Sequence, residues 1–232
     1  MGMNTFDLLE LKRNHVRKYK DLVPDKELIN NALWKAWKTT PSKNNMMAYQ
    51  IDIYNPDMKK EKEILWKFAT NSHLAAEERA VDKGLATKTQ DGVPNPYYEH
   101  IKYNPYLIVF HGRVCKKANP FYERQIKKGH FADQMYDEYV QFISGSTNVE
   151  VGLFAANLTV YLLENGLDMS YNSCFVRDKK VWQDHGLFWV TQEPILMMSV
   201  GYAERYRKED LEDDGVSHED IKPEMNEVVR WL

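Results

Sequence analysis

Cysteine is nearly absent from this chain: there are two in 232 residues, Cys115 and Cys174. Two thiols so placed make neither a disulfide framework nor a zinc spacing, and the cytoplasm is the compartment expected. An excess of one charge is also lacking. The net charge of −3 is far from the strongly basic balance that bulk nucleic-acid binding shows. No apolar run approaches the roughly 18 residues of a membrane helix, and the opening residues do not read as a signal peptide. Met1-Gly2 is no myristoylation start, because Phe6 stands where Ser or Thr is needed. There is no Gly-x-Gly-x-x-Gly and no Walker lysine loop, which excludes Rossmann and P-loop nucleotide sites. The histidines at 73, 100, 111, 130, 185 and 218 show no metal-ligand spacing and read as core or surface residues. Asn157-Leu158-Thr159 matches a glycosylation sequon inside a core helix pattern, where it has no such use.

What is present is an ordinary globular composition, 43% hydrophobic and 28% charged, with length enough for a substantial core. Phe6 to Leu11 reads as a short amphipathic segment. After Pro24-Asp25, the residues Leu28, Ile29, Ala32, Leu33, Ala36 and Trp37 recur at helical spacing, and Thr40-Pro41-Ser42 ends that helix. Gln50 to Tyr54 alternates, with Ile51 and Ile53 on one face, and Asn55-Pro56-Asp57 is a turn. Glu61 to Ala69 reads as helix, and residues 82 to 104 as a long surface loop or lid rich in Gly, Pro, Asn and Tyr. Tyr106 to His111 reads as a buried strand, and Phe131 to Ile143 as a helix. Thr147-Asn148-Val149-Glu150 has the form of a capping box. It would open a helix with Val151, Phe154, Ala155, Leu158 and Leu162 on one stripe, stopped by Asn165-Gly166. That helix is apolar around much of its circumference, so a central or interfacial position is expected. Met169 to Asn172 and Ile195 to Val200 read as further buried strands, and Glu209 to Asp220 as an exposed acidic stretch. With no repeat, low-complexity tract or clear linker, residues 1–232 are expected to form one α+β domain.

The densest chemistry lies in Lys12-Arg13-Asn14-His15-Val16-Arg17-Lys18-Tyr19. Arg13, His15 and Arg17 alternate, so an extended backbone aims all three to one side. Guanidinium groups gathered in this way suit a phosphate, through charge-assisted and often bidentate bonds. Taken alone, such a run is more often a solvated basic face. Four features follow one another in order: this basic run, Pro41-Ser42-Lys43-Asn44-Asn45, Asn165-Gly166-Leu167-Asp168 before a strand, and Gly201-Tyr202. In that order they resemble the nitroreductase family of FMN-dependent oxidoreductases over nearly the whole chain. The resemblance implies an α+β fold with a central mixed sheet flanked by helices, a homodimer, and two FMN molecules at its interface. It assigns Arg13 and Arg17 to the FMN phosphate and ribityl chain, with Asn14 and His15 between them; His15 replaces the family's usual Ser and can donate a similar bond. Pro41 and Ser42 match the turn that touches the flavin ring from the partner subunit. Asn45 falls where the family keeps an Asn, although Met47-Ala48-Tyr49 replaces the usual Gln-Pro-Trp beyond it. Tyr171, Asn172, Ser173 and Cys174 fall on the segment that passes one edge of the ring, with Cys174 read as a buried inert thiol. Lys222, in Ile221-Lys222-Pro223, stands one place from the family's usual phosphate-binding cation.

The function this resemblance implies is ping-pong hydride transfer from NAD(P)H to an electron-poor aromatic acceptor, a quinone or a nitro compound. The cofactor carries the chemistry and the protein supplies position and electrostatics, so no catalytic residue is named. Lys43 is the candidate cation for stabilising reduced flavin. Two alternatives stay open. Relatives on the same fold dehalogenate iodotyrosine or fragment reduced flavin, and Tyr97, Tyr98, Tyr103 and Tyr106 would then close over the substrate. A different class is a non-redox protein using Arg13 and Arg17 on a nucleic-acid or phosphoprotein partner.

Overall fold

The computed structural model describes residues 4–12, 15–82, 99–113, 119–130, 144–190, 192–206, 209, 213, 223 and 225–230. The elements in chain order are α1 (Thr5–Lys12), β1 (Val16–Tyr19), α2 (Lys26–Thr39), a single 3-10 turn (Lys43–Asn45), β2 (Tyr49–Tyr54), α3 (Lys59–Asp82), α4 (Glu99–Tyr103), β3 (Tyr106–Gly112) and α5 (Pro120–Lys127). They continue with α6 (Ser144–Glu164), β4 (Asp168–Asn172), α7 (Lys179–Asp184), β5 (Pro194–Gly201), β6 (Ala203–Tyr206) and α8 (Met225–Val228). A four-stranded sheet runs β2-β3-β5-β4, and β1 pairs with β6 in a separate two-stranded sheet. Every pairing among the described residues is antiparallel, where a mixed sheet was expected.

Central strand β3 explains the unbroken apolar run from Tyr106. A central strand covered on both faces has no polar side, so the period-two alternation disappears. Tyr106, Ile108 and Phe110 pack with α2 and α6, beside Ile29, Ala32, Phe154 and Leu158. Leu107 and Val109 point the other way, onto Leu65 and Phe68 of α3, Ile101 of α4 and Trp182 of α7. The sheet is thus the middle layer between two helical layers. Asp25 caps α2, its carboxylate accepting from the Glu27 N–H at 2.9 Å.

Helix α6 buries the expected stripe of Val151, Phe154, Ala155, Leu158 and Leu162. Gly166 ends it at φ +75°, in the left-handed region where other residues pay for a Cβ. Its start differs from expectation. The helix opens at Ser144, so Thr147 lies within it and Thr147 and Glu150 do not frame its start. Helix α3 is also longer than Glu61 to Ala69, with 24 residues. It takes in Asp82, and α4 occupies the far end of the supposed 82–104 loop; residues 83–98, Tyr97 and Tyr98 among them, fall outside the description. Tyr103 is exposed, while Tyr106 is buried with its hydroxyl donating to the Pro24 carbonyl, so these two do not act as one lid. Trp37, read as a core position of α2, is exposed and stacks on Trp34 instead. The expected helix at 131–143 and most of the acidic stretch 209–220 also lie outside the described residues.

Candidate functional site

The turn after α2 is held from several sides. Thr40 Oγ1 donates back to the Ala36 carbonyl at 2.7 Å and accepts from Asn157 Nδ2 of α6 at 3.1 Å. Ser42 Oγ donates to Glu150 Oε2 at 2.8 Å, and the Lys43 N–H donates to the other carboxylate oxygen at 2.7 Å. The Met47 N–H in turn donates to Ser42 Oγ at 2.8 Å. Glu150 is 5% exposed, so these are charge-assisted bonds in a setting that strengthens them. The arrangement supports an unusual backbone. Asn45 has φ +54° and Met47 φ +44°, both in the left-handed region. Asn tolerates it; a Met there costs on the order of 1–2 kcal/mol. Arg113 supplies the restraint from outside, its Nη2 donating to the carbonyls of Met46 at 2.8 Å and Met47 at 2.9 Å.

A second group of residues gathers on β1 and β4. The Val16 N–H donates to Ser170 Oγ at 2.7 Å, and Ser170 Oγ donates to the Val16 carbonyl at 2.9 Å. One hydroxyl thus fastens the basic strand to β4. Arg17 is half-buried on that strand, and so is His15, whose ring meets His100 edge-on at 4.8 Å between centroids. The Tyr171 hydroxyl is directed into α6, donating to the Ala155 carbonyl at 3.0 Å and meeting the Thr159 hydroxyl, so it is not offered at the strand edge. Asn172 is buried; its Oδ1 accepts from the Cys174 N–H at 2.7 Å, and its Nδ2 finds no hydrogen-bond partner among the described residues. Ser173 and Cys174 are exposed, which corrects the reading of Cys174 as a buried thiol. Asp168 anchors the next strand, accepting from the Ala203 N–H at 3.0 Å and the Tyr206 hydroxyl at 2.7 Å. Burial and that bond to Asp168 hold the Tyr206 hydroxyl well above the ordinary phenol range. Gly201 closes the sheet against its surroundings: a Cβ there would lie 2.7 Å from Pro105 Cδ and 2.8 Å from Tyr19 Cδ1.

Both groups are seated on α6, the turn at Glu150 and β4 at Ala155 and Thr159. At about 1.5 Å of rise per residue, the two anchor points lie roughly 8–14 Å apart along the helix. Arg13, Asn14 and Lys222 fall outside the described residues. Reading the sequence missed Glu150, Ser170 and Arg113 as site-building residues. Glu150 had a signal, an acid on the same face as the apolar stripe of α6. Ser170 and Arg113 had none, because their roles depend on partners 154 and 66 residues away. Among the described residues no cluster of His, Cys, Asp and Glu could hold a metal, and no helix is long and apolar enough to cross a membrane. The donors present suit FMN: Arg17 and His15 are cationic or hydrogen-bonding groups for phosphate oxygens, and Lys43 is a cation for the ring. The unpartnered amide of Asn172 is a buried donor suited to the ring's carbonyl edge.

Known structures bear on the assignment. A nitroreductase-like protein from Streptococcus mutans is 19% identical, with a TM-score of 0.60 over 98% of this chain and 97% of its own. A protein from Exiguobacterium sibiricum crystallised in complex with FMN is 16% identical, with a TM-score of 0.62 over 100% of this chain and 99% of its own. The NADPH:FMN oxidoreductase from Vibrio harveyi, complexed with NAD+, is 14% identical, with a TM-score of 0.59 over 99% of this chain and 77% of its own. At these identities the likeness speaks for the fold. The comparison with curated proteins finds no match. The family model of the Nitroreductase family matches residues 11–202, most of the chain. The chain therefore belongs to the nitroreductase family, a family of flavin-dependent oxidoreductases, and FMN is the cofactor that goes with that membership.

Proposed function

We propose that this chain works as a homodimer that accepts a hydride from NAD(P)H and passes it to a quinone or nitroaromatic, the two substrates using one pocket in turn. FMN, when bound, supplies the centre at which hydride is taken up and given off. Arg17, with Arg13 and Lys222, neutralises its phosphate. Pro41, Ser42 and Lys43 meet the ring across the dimer interface, and Lys43 puts a positive charge where negative charge grows on reduction. The segment at Asn172, Ser173 and Cys174 supplies donors along the ring edge. No protein acid or base is needed, because water can deliver the proton.

The observation that supports this reading best is the anchoring of the Pro41-Ser42 turn by Glu150. A buried carboxylate, a shared hydroxyl and two left-handed residues fix this turn in one conformation, as a turn that has to meet a flat ring requires. Purified protein is expected to be yellow and to release FMN on denaturation. Under anaerobic conditions NADH or NADPH should bleach it, and menadione should restore the colour. A colourless preparation that takes up no added FMN would remove the reading.

A further inference from the structure

A second concavity lies between the start of α3, the chain after β1 and the end of α4, and no residue given to FMN lines it. Its volume is about 590 Å³. Lys20, Lys59, Lys60, Lys62 and Lys102 line it, against Asp21, Asp57 and Glu63. Lys62 is the informative one. It is 2% exposed, so its charge is held out of water. Its ammonium donates to the carbonyls of Asn104 at 2.8 Å and Pro105 at 3.3 Å, two residues of the same lining. An ammonium has three N–H groups, and the third has no protein partner among the described residues. No carboxylate compensates the charge. Burial first, and then Lys59, hold this amine below the ordinary lysine range, and the opposing effect of Asp57 is smaller than that of Lys59.

The other lysines are likewise uncompensated. Among the described residues none of the five is in an ion pair, while Glu63 is paired with Lys67 at 3.6 Å. Lys102 lies over the rings of Trp66 and Tyr103, at 5.0 and 5.5 Å from their centroids, contacts that leave its charge in place. Lys59, Lys60 and Lys62 stand in the first turn of α3, where a helix's own dipole disfavours cations, so helix stability does not account for them. Like charges gathered round a buried ammonium are costly unless an anion joins them. Five cations against the two carboxylates left unpaired, Asp21 and Asp57, form a surplus that a diphosphate neutralises and a single carboxylate does not. We infer that this concavity binds a diphosphate group, Lys62 donating its third N–H to one phosphate oxygen while Lys20, Lys59 and Lys60 neutralise the others from the rim.

The probe is inorganic pyrophosphate, titrated calorimetrically into the protein as purified, in metal-free buffer. One saturable site per chain is expected. Lys62→Met, which keeps the apolar stem and removes the charge, should weaken binding by about tenfold or more. Lys59→Gln, at an exposed position where folding is not at risk, should weaken it roughly threefold to tenfold. Thermal melting of each variant confirms that it is folded. ADP carries the same diphosphate on a nucleoside. Tighter binding of ADP than of pyrophosphate, through Leu22, Val23 and Tyr103 of the lining, would make a nucleotide the source of the anion; equal or weaker binding would make it the free diphosphate. Absence of saturable pyrophosphate binding would overturn the inference. Equal affinity in the wild type and both variants would also overturn it, since the anion would then sit elsewhere, among the residues given to FMN for example. FMN content, measured on the same preparations, reports separately on the flavin reading.

Discussion

Lys62 shows what a single buried charge costs. It is 2% exposed, and its ammonium donates to the carbonyls of Asn104 at 2.8 Å and Pro105 at 3.3 Å. Two neutral acceptors do not replace the hydration of a cation, so desolvation first, and then the neighbouring Lys59, lower its pKa from 10.5 to about 8. Between about pH 8 and 10.5 the unfolded chain holds a proton that the folded chain has lost. Stability then rises with pH across that window, because the unfolded state binds more protons. Relative to Lys62→Met, the wild-type protein should gain on the order of 2–3 kcal/mol between pH 8 and 10, read from urea denaturation at each pH. A difference that stays flat with pH would mean the lysine is not desolvated. Arg17 is likewise a cation with a ligand proposed for it. A bond to a charged group is worth roughly 1.5–3 kcal/mol, so Arg17→Ala should weaken FMN binding by about tenfold to a hundredfold. Titration of the flavin-free variant checks this, and an unchanged dissociation constant would remove Arg17 from the FMN site.

At the scale of elements, the basic strand β1 depends on β4 through Ser170. The serine satisfies both backbone groups of Val16, which is fully buried. Ser170→Ala leaves a buried N–H without a partner, at a cost of about 1–3 kcal/mol. The loss should be local, because β1 belongs to the small β1–β6 sheet rather than the central one. Amide exchange should quicken in Val16 to Tyr19 while β3 and β5 remain protected, and FMN affinity should fall with it. Uniform exchange across both sheets would show that β1 is not a separate unit. The turn at Pro41 behaves in the same way. Its conformation is imposed by α6 and Arg113, not by its own residues, of which Met47 is a poor choice for a left-handed backbone.

For the whole molecule, the exposed apolar residues matter most. Val149 and Leu153 of α6 are 63% and 43% exposed on the face away from its buried stripe. Met225, Val228 and Val229, near the end of the chain, are exposed as well. Apolar residues on a helix otherwise devoted to the core fit an interface with a second copy, and a two-fold dimer would cover them twice. If FMN is held from both subunits, it binds only the assembled state and shifts assembly by mass action. Sedimentation over a dilution series should show the FMN-loaded dimer persisting at concentrations where flavin-free protein dissociates. A monomer with full FMN affinity would mean that one chain makes the entire site and that Pro41 and Ser42 do not act across an interface.

Local pattern alone was enough for several elements and for the family. Helix α2 and the buried stripe of α6 are periodic in residue type, and strand β3 is an unbroken apolar run; each pattern follows directly from which faces meet the core. The four ordered motifs that carried the family resemblance likewise lie in short continuous stretches. Tertiary structure decided what depends on distant partners. Thr147 and Glu150 fit a capping box by spacing, but the carboxylate bonds Ser42 and Lys43, more than a hundred residues earlier, because a buried charge takes the donors that folding brings to it. Trp37 kept the helical phase of a core residue, yet the core was already filled by Ile29, Ala32 and Ala36, and the ring was left to stack on Trp34. Strand order and direction, the exposure of Cys174 and the unpartnered hydroxyl of Tyr49 are of the same kind. Each is a relation between segments far apart in the chain, and residue spacing within one segment carries no record of it.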